Sequence, residues 1–194
     1  MEEMIDTFDI NGNKTGTIKK GEHTEDYVKC CSCFVVDSKN RVLVEKRGNT
    51  VLDAGKLDLC SGHVRSGEIS TQGMIRELCE ELGIEESECC GNIKKMGTVT
   101  IDFKKFKCFT DVFLLKRSKE TLSLQDEEVK GIEYYDVEEV FNLIREGKTR
   151  IPYNQDKEKF EEIFERVKQE LGIKILNNNK VVSEKWYVFK TYHF

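Results

Sequence analysis

The stretch Gly62-His-Val-Arg-Ser-Gly-Glu68-Ile-Ser-Thr-Gln-Gly-Met-Ile-Arg76-Glu77-Leu-Cys-Glu80-Glu81-Leu-Gly83-Ile84 organises the reading of this chain. Met74, Ile75, Leu78 and Leu82 recur at the three- and four-residue intervals of a helical apolar face, with Ser70 and Thr71 as expected caps and Gly83 as the stop. On that helix Glu77, Glu80 and Glu81 stand at i, i+3 and i+4, so their carboxylates share one side. Uncompensated, such a cluster is mildly self-repelling. A divalent cation reverses the sign of that interaction, and clustered carboxylate oxygens with room for water suit Mg²⁺ or Mn²⁺.

An acidic run is most often only a solvated helix face. Here further positions are constrained: Gly62, Glu68, Arg76 and Gly83 flank the acids at fixed spacing, with Leu78 and Ile84 at the aliphatic positions. The full pattern resembles the signature of the Nudix superfamily. That resemblance implies an α+β fold, an α/β/α sandwich with a mixed sheet and a catalytic loop-helix-loop, over about residues 1–171. It also implies metal-dependent hydrolysis of a nucleoside diphosphate derivative or related organic pyrophosphate, by water attack on phosphorus.

Carried over by position, the resemblance makes Glu77, Glu80 and Glu81 metal ligands together with the Gly62 carbonyl, Glu77 alternatively orienting the water. Glu68 then fixes the loop or binds a second ion, and Arg76 holds the acids by bidentate contact. Glu127 and Glu128, beside Asp126, are the candidates for an extra ligand or general base, against the reading of a solvated acidic turn. Arg47, Lys56 and His63 are candidate substrate contacts. Phe103, Phe106 and Tyr153 are candidate base-stacking residues whose ordinary role would be packing.

A narrower resemblance points to isopentenyl diphosphate isomerase, which shares this fold. Ser61-Gly62-His63 stands where the isomerase has Cys-Gly-His, and His23 to Cys30 is similar to a segment where its histidine recurs. The chain departs at Ser61, at Cys30 and in residues 105–108, which carry no carboxylate. A hydroxyl of ordinary high pKa is a poor substitute for a proton-transferring thiol, and Cys60 would face away from Ser61 in extended backbone. An isomerase-like hydrolase is therefore expected. The alternatives are an isomerase-like enzyme, or a Nudix-fold regulator that binds a nucleotide without cleaving it.

The chain has 194 residues, with 31 basic and 36 acidic, enough for one domain with a full core. Its net charge of −5 argues against a protein that coats nucleic acid. The acidic start lacks the apolar segment of a signal peptide, and no stretch approaches a membrane span, so a cytoplasmic protein is expected. Eight cysteines lack paired zinc-site spacing and read as reduced, mostly buried thiols. Cys31 and Cys33 should share one face of a strand, with Cys30 on the other.

Around the motif, alternation and turn residues predict a hairpin near 7–18 and strands at 28–36 and 41–46, followed by a loop over 48–59. A second hairpin is expected over 93–103 and 106–116, then a strand at 131–135 and helices at 137–146 and 155–171. Neither a proline nor a tyrosine near Val99 supports an ADP-ribose or dinucleoside polyphosphate substrate. Residues 172–194 read as a linker and an aromatic strand-like tail. That tail is expected to pair with a sheet edge, to cover a second subunit in a homodimer, or to be partly unordered.

Overall fold

A computed structural model of the chain describes residues 2–48, 55–103, 106–119, 121–124, 129–150 and 152–173. Residues 126–128 and the tail beyond 173 lie outside the described residues, as does the side chain of Phe103. Strands β1 (Met4–Phe8) and β2 (Lys14–Lys19) form the expected first hairpin. At its tip the Asp9 carboxylate accepts from the Asn11 and Asn13 amides, both at 2.9 Å.

The central strand is β3 (Tyr27–Val36), whose nearly continuous burial reflects cover on both faces. It runs parallel to β8 (Phe106–Lys116) along its length and antiparallel to β1 and to β6 (Cys60–His63). That parallel pairing makes the sheet mixed. β7 (Ile93–Phe103) lies antiparallel to β8, and β4 (Arg41–Arg47) pairs with β9 (Val129–Asp136) and with the short β5 (Leu57–Asp58). β5 corrects the expected loop over 48–59: Arg47 N–H donates to the Lys56 carbonyl at 3.0 Å, closing a ladder too short to register as alternation. β9 is also longer than the expected strand at 131–135.

Helices cover both faces. α1 (Ser70–Leu82) packs Met74, Leu78 and Leu82 against Cys31, Cys33, Leu43 and Phe113. α3 (Val137–Arg145) and α4 (Lys157–Leu171) place Phe141, Phe160 and Phe164 against Phe34 and Cys30 on the opposite face. The sheet thus sits between two apolar layers, and Cys30 divides from Cys31 and Cys33 as strand periodicity requires. α2 (Glu86–Cys89) is a single turn the sequence did not announce. A 3-10 turn at Tyr153–Gln155 precedes α4 and displaces its start from 155 to 157.

The first turn of α1 differs from expectation. Ile69, not Ser70 or Thr71, occupies the N-cap, and its amide donates to Gln72 Oε1 at 3.0 Å. At the far end Gly83 takes φ 64°, its amide bonding to Cys79 O while the Ile84 amide reaches Leu78 O. This is the left-handed stop that a glycine supplies without steric cost. Among the described residues, no helix is long and apolar enough to cross a membrane. All eight cysteines are free thiols, six of them buried, with Cys79 half-buried and Cys90 exposed.

Candidate active site

The motif acids meet where β6 runs into the loop before α1. Arg76 is their organiser. Its Nε donates to Glu68 Oε1 at 2.9 Å and its Nη2 to Glu68 Oε2 at 3.1 Å, the bidentate clamp expected for this residue. Nη1 reaches Glu77 Oε1 at 2.7 Å and Glu80 Oε2 at 3.1 Å, while Nη2 also binds the His63 carbonyl at 2.9 Å. One guanidinium thereby fixes three carboxylates and the end of β6. Glu77 is 6% exposed and Glu81 5%, whereas the Glu80 side chain is 45% exposed and faces solvent.

Gly62 is required sterically. A Cβ on it would stand 2.7 Å from Glu77 Cγ and nearer still to the carboxylate. Its carbonyl lies 3.6 Å from the Cys31 thiol. Burial raises the Glu77 carboxyl above its ordinary value, and the adjacent Arg76 offsets part of that rise. Glu68 moves the other way, because Arg76 and the Arg65 amide outweigh the effect of its burial.

Glu81 does not join its neighbours on Arg76. It turns into the layer between α1 and the sheet, where the Cys60 thiol donates to its Oε2 at 3.2 Å. Glu45, on the same strand face as Leu43, completes a buried trio with them, all ligand atoms lying within 4.8 Å of one another. The expected metal set of Gly62, Glu68, Glu77, Glu80 and Glu81 is therefore divided. Glu68, Glu77 and Glu80 gather on Arg76 with Gly62 against Glu77, and Glu81 faces Cys60 and Glu45.

On the other face of β6 lies a network absent from the sequence reading. Asp58 is buried, and Arg150 Nε donates to its Oδ2 at 2.7 Å. Ser61 Oγ stands 3.5 Å from Asp58 Oδ2 and 3.4 Å from Arg150 Nη2. The Tyr153 hydroxyl links Ser32 at 2.9 Å with Asp58 at 3.4 Å, so Tyr153 is a core residue and not a stacking platform. Ser61 and Cys60 point to opposite faces, as extended backbone dictates. An acid between Leu57 and Leu59, and a Glu45 ending an apolar run, were the available sequence signals; their partners were not.

Lys20 and Arg65 flank the motif by clasping Glu3 at 2.7 Å each. Burial alone would raise Glu3, but these two cations overcome it and hold the carboxyl down at about 2. His63 is pushed down to about 4, first by burial and then by Lys20 and Arg150. It is neutral near pH 7 and can donate or accept a hydrogen bond but offers no charge to a phosphate. Phe106 meets its ring edge-on, with centroids 6.1 Å apart. Arg47 lies near Arg150, Asp58, Glu81 and Glu45, where burial and then Arg150 lower its pKa. Lys56 is exposed at the β5 edge.

A mixed sheet between helical layers, with a glycine-anchored acidic helix, is the arrangement of a Nudix protein. The family model described as NUDIX domain matches residues 27–157, and the chain belongs to that family. Nudix hydrolase 3 of Arabidopsis thaliana is 30% identical over 183 residues, spanning 87% of this chain and 24% of that longer relative. The DR0079 structure from Deinococcus radiodurans superposes with a TM-score of 0.62 at 21% identity, over 76% of this chain and 91% of that one. The MutT protein from Methanosarcina mazei Go1 gives a TM-score of 0.55 at 26% identity, over 75% of this chain and 95% of that one. The expected α+β sandwich is thus borne out, and the chain spans about a quarter of the length of the curated relative it matches.

Proposed function

We propose that this chain is a divalent-metal-dependent pyrophosphohydrolase, directing water at a phosphorus of a nucleoside diphosphate derivative or related organic pyrophosphate. The observation that carries this reading is the convergence of Glu68, Glu77 and Glu80 on Arg76, beside a glycine that vacates the space Glu77 fills. Arg76, with Arg65 reaching Glu80 Oε1 at 3.4 Å while shared with Glu3, leaves these three carboxylates with excess negative charge, and Glu80 opens them to solvent.

The donor chemistry fits Mg²⁺ or Mn²⁺, which prefer carboxylate and carbonyl oxygens with room for water. Glu77, Glu80 and the Gly62 carbonyl would hold the ion, with Glu81 as a further ligand and Glu68 at the edge. When bound, the ion neutralises phosphate charge and makes water a better nucleophile. The protein's own work is placement. Arg76 locks the acids in register with β6, and Glu77, wedged against Gly62, orients the water. Arg47, near Glu81 and Glu45, is the candidate phosphate contact, with Lys56 at the β5 edge and neutral His63 able to donate a hydrogen bond. Such positioning and charge stabilisation supply most of what phosphoryl transfer needs.

Ser61, engaged with Asp58 and Arg150 and facing away from Cys60, favours hydrolysis over isomerisation. The test is a screen of nucleotide sugars, dinucleotides, oxidised nucleoside triphosphates and isopentenyl diphosphate with Mg²⁺ in ¹⁸O-labelled water. Metal-dependent release of labelled phosphate product is expected. Isomerised isopentenyl diphosphate, or tight nucleotide binding without turnover, would overturn the reading.

A further inference from the structure

We propose that Glu45, Cys60 and Glu81 form a second cation site, buried behind the motif acids, selective for a thiolate-preferring divalent ion of the Zn²⁺ class. Three different elements supply the ligands: β4, β6 and α1. Their ligand atoms lie within 4.8 Å of one another, with Cys60 Sγ 3.2 Å from Glu81 Oε2. All three residues are buried. Glu45 Oε1, sealed from solvent on a residue only 3% exposed, has no hydrogen-bond partner among the described residues. An oxygen left unpaired at that depth is costly, and an ion held between the three facing groups would supply its partner.

Charge and softness identify the ion. Fully ionised, the trio carries three negative charges, and nearby Arg47 supplies one positive; a divalent ion brings the assembly to neutrality. One thiolate and two carboxylates form the open three-ligand set of a Zn²⁺ site that keeps a position for water, whereas sulfur disfavours Mg²⁺. On binding, the Cys60 proton and the proton that burial and the nearby Glu81 hold on the Glu45 carboxyl both leave to solvent, and a sulfur–metal bond replaces the thiol's hydrogen bond to Glu81. Because Glu81 is shared, an ion here withdraws it from the motif face; that consequence rests on the proposed hydrolysis, but the site itself does not.

The experiment titrates Co²⁺ into the reduced, metal-stripped full chain and follows thiolate-to-cobalt absorption, with Zn²⁺ as the displacing ion. A thiolate band saturating at a single equivalent and removed by Zn²⁺ is expected. Cys60→Ser should abolish the band, Glu45→Gln should weaken binding more than about tenfold, and Cys90→Ser and Glu80→Gln should retain it. A band that persists in Cys60→Ser, or its absence from the unmodified chain, overturns the proposal. Should Cys60→Ser lose its native circular dichroism, unchanged Co²⁺ affinity in folded Glu45→Gln overturns it instead. Mg²⁺-dependent turnover is scored separately, so failure of either reading leaves the other legible.

Discussion

Gly62 and Glu77 interlock: the helix carboxylate fills the volume that a side chain on the strand residue would need, with Glu77 Cγ only 2.7 Å from a notional Cβ. Gly62→Ala should therefore displace Glu77. We expect kcat to fall about 100-fold, the scale of a misplaced reacting group, with stability lower by about 1–3 kcal/mol from overpacking. Steady-state kinetics and urea denaturation measure the two effects. Unchanged kcat would mean that the position of Glu77 does not matter to the chemistry.

Arg76 is the hub of Glu68, Glu77, Glu80 and the His63 carbonyl. Lysine keeps the charge but cannot reproduce the planar fork. Arg76→Lys should lower kcat more than it raises KM, while Arg76→Ala should cost about 3–5 kcal/mol because buried Glu77 loses its cation. Equal denaturation midpoints for Arg76→Ala and the parent chain would contradict this role.

Glu80→Gln combined with Glu81→Gln should abolish Mg²⁺-dependent turnover. The fold should survive, since Glu80 is exposed and the amide at 81 still accepts from Cys60. Phosphate release and far-UV circular dichroism decide the matter, and retained turnover in the folded double variant would sink the hydrolase assignment.

His63 carries a pH prediction. Its pKa falls from an ordinary 6.5 to about 4 on folding, so the unfolded chain takes up the proton first. Stability contributed by neutral His63 should be intact above about pH 6.5 and decline as the pH drops toward 4. Imidazole NMR should place the folded transition near 4, and urea melts of His63→Gln should be flatter across that window. A His63 titration near 6.5 in the folded protein would refute the half-buried neutral ring.

Half-buried Arg150 pairs with fully buried Asp58 at 2.7 Å, 92 residues away in sequence. Arg150→Ala should destabilise the fold by about 3–5 kcal/mol by stranding Asp58. Replacing both with apolar residues should cost less. Denaturation of the singles and the double, read as a cycle, tests the coupling.

The division between sequence and structure follows interaction range. The periodicity of α1, the alternation of the β7–β8 hairpin and the left-handed stop at Gly83 are local, so neighbouring residues announce them. The Ile69 cap was missed because a Gln72 side chain reaching back to a backbone amide competes with the hydroxyl caps beside it. Short α2 and β5 offer too few residues for a period to register.

By itself, the sequence determined the family, the helix that carries Glu77, Glu80 and Glu81, and the motif spacing that includes Gly62. Those features depend on spacings within about two dozen residues. The tertiary structure alone decided which acids Arg76 gathers, that Glu81 turns away to Cys60 and Glu45, and that Arg150 meets Asp58 behind Ser61. Such contacts join strands and helices from distant parts of the chain, and burial rather than spacing sets their energy. A carboxylate's role follows from which side of the sheet it reaches, and that is fixed only when the layers close.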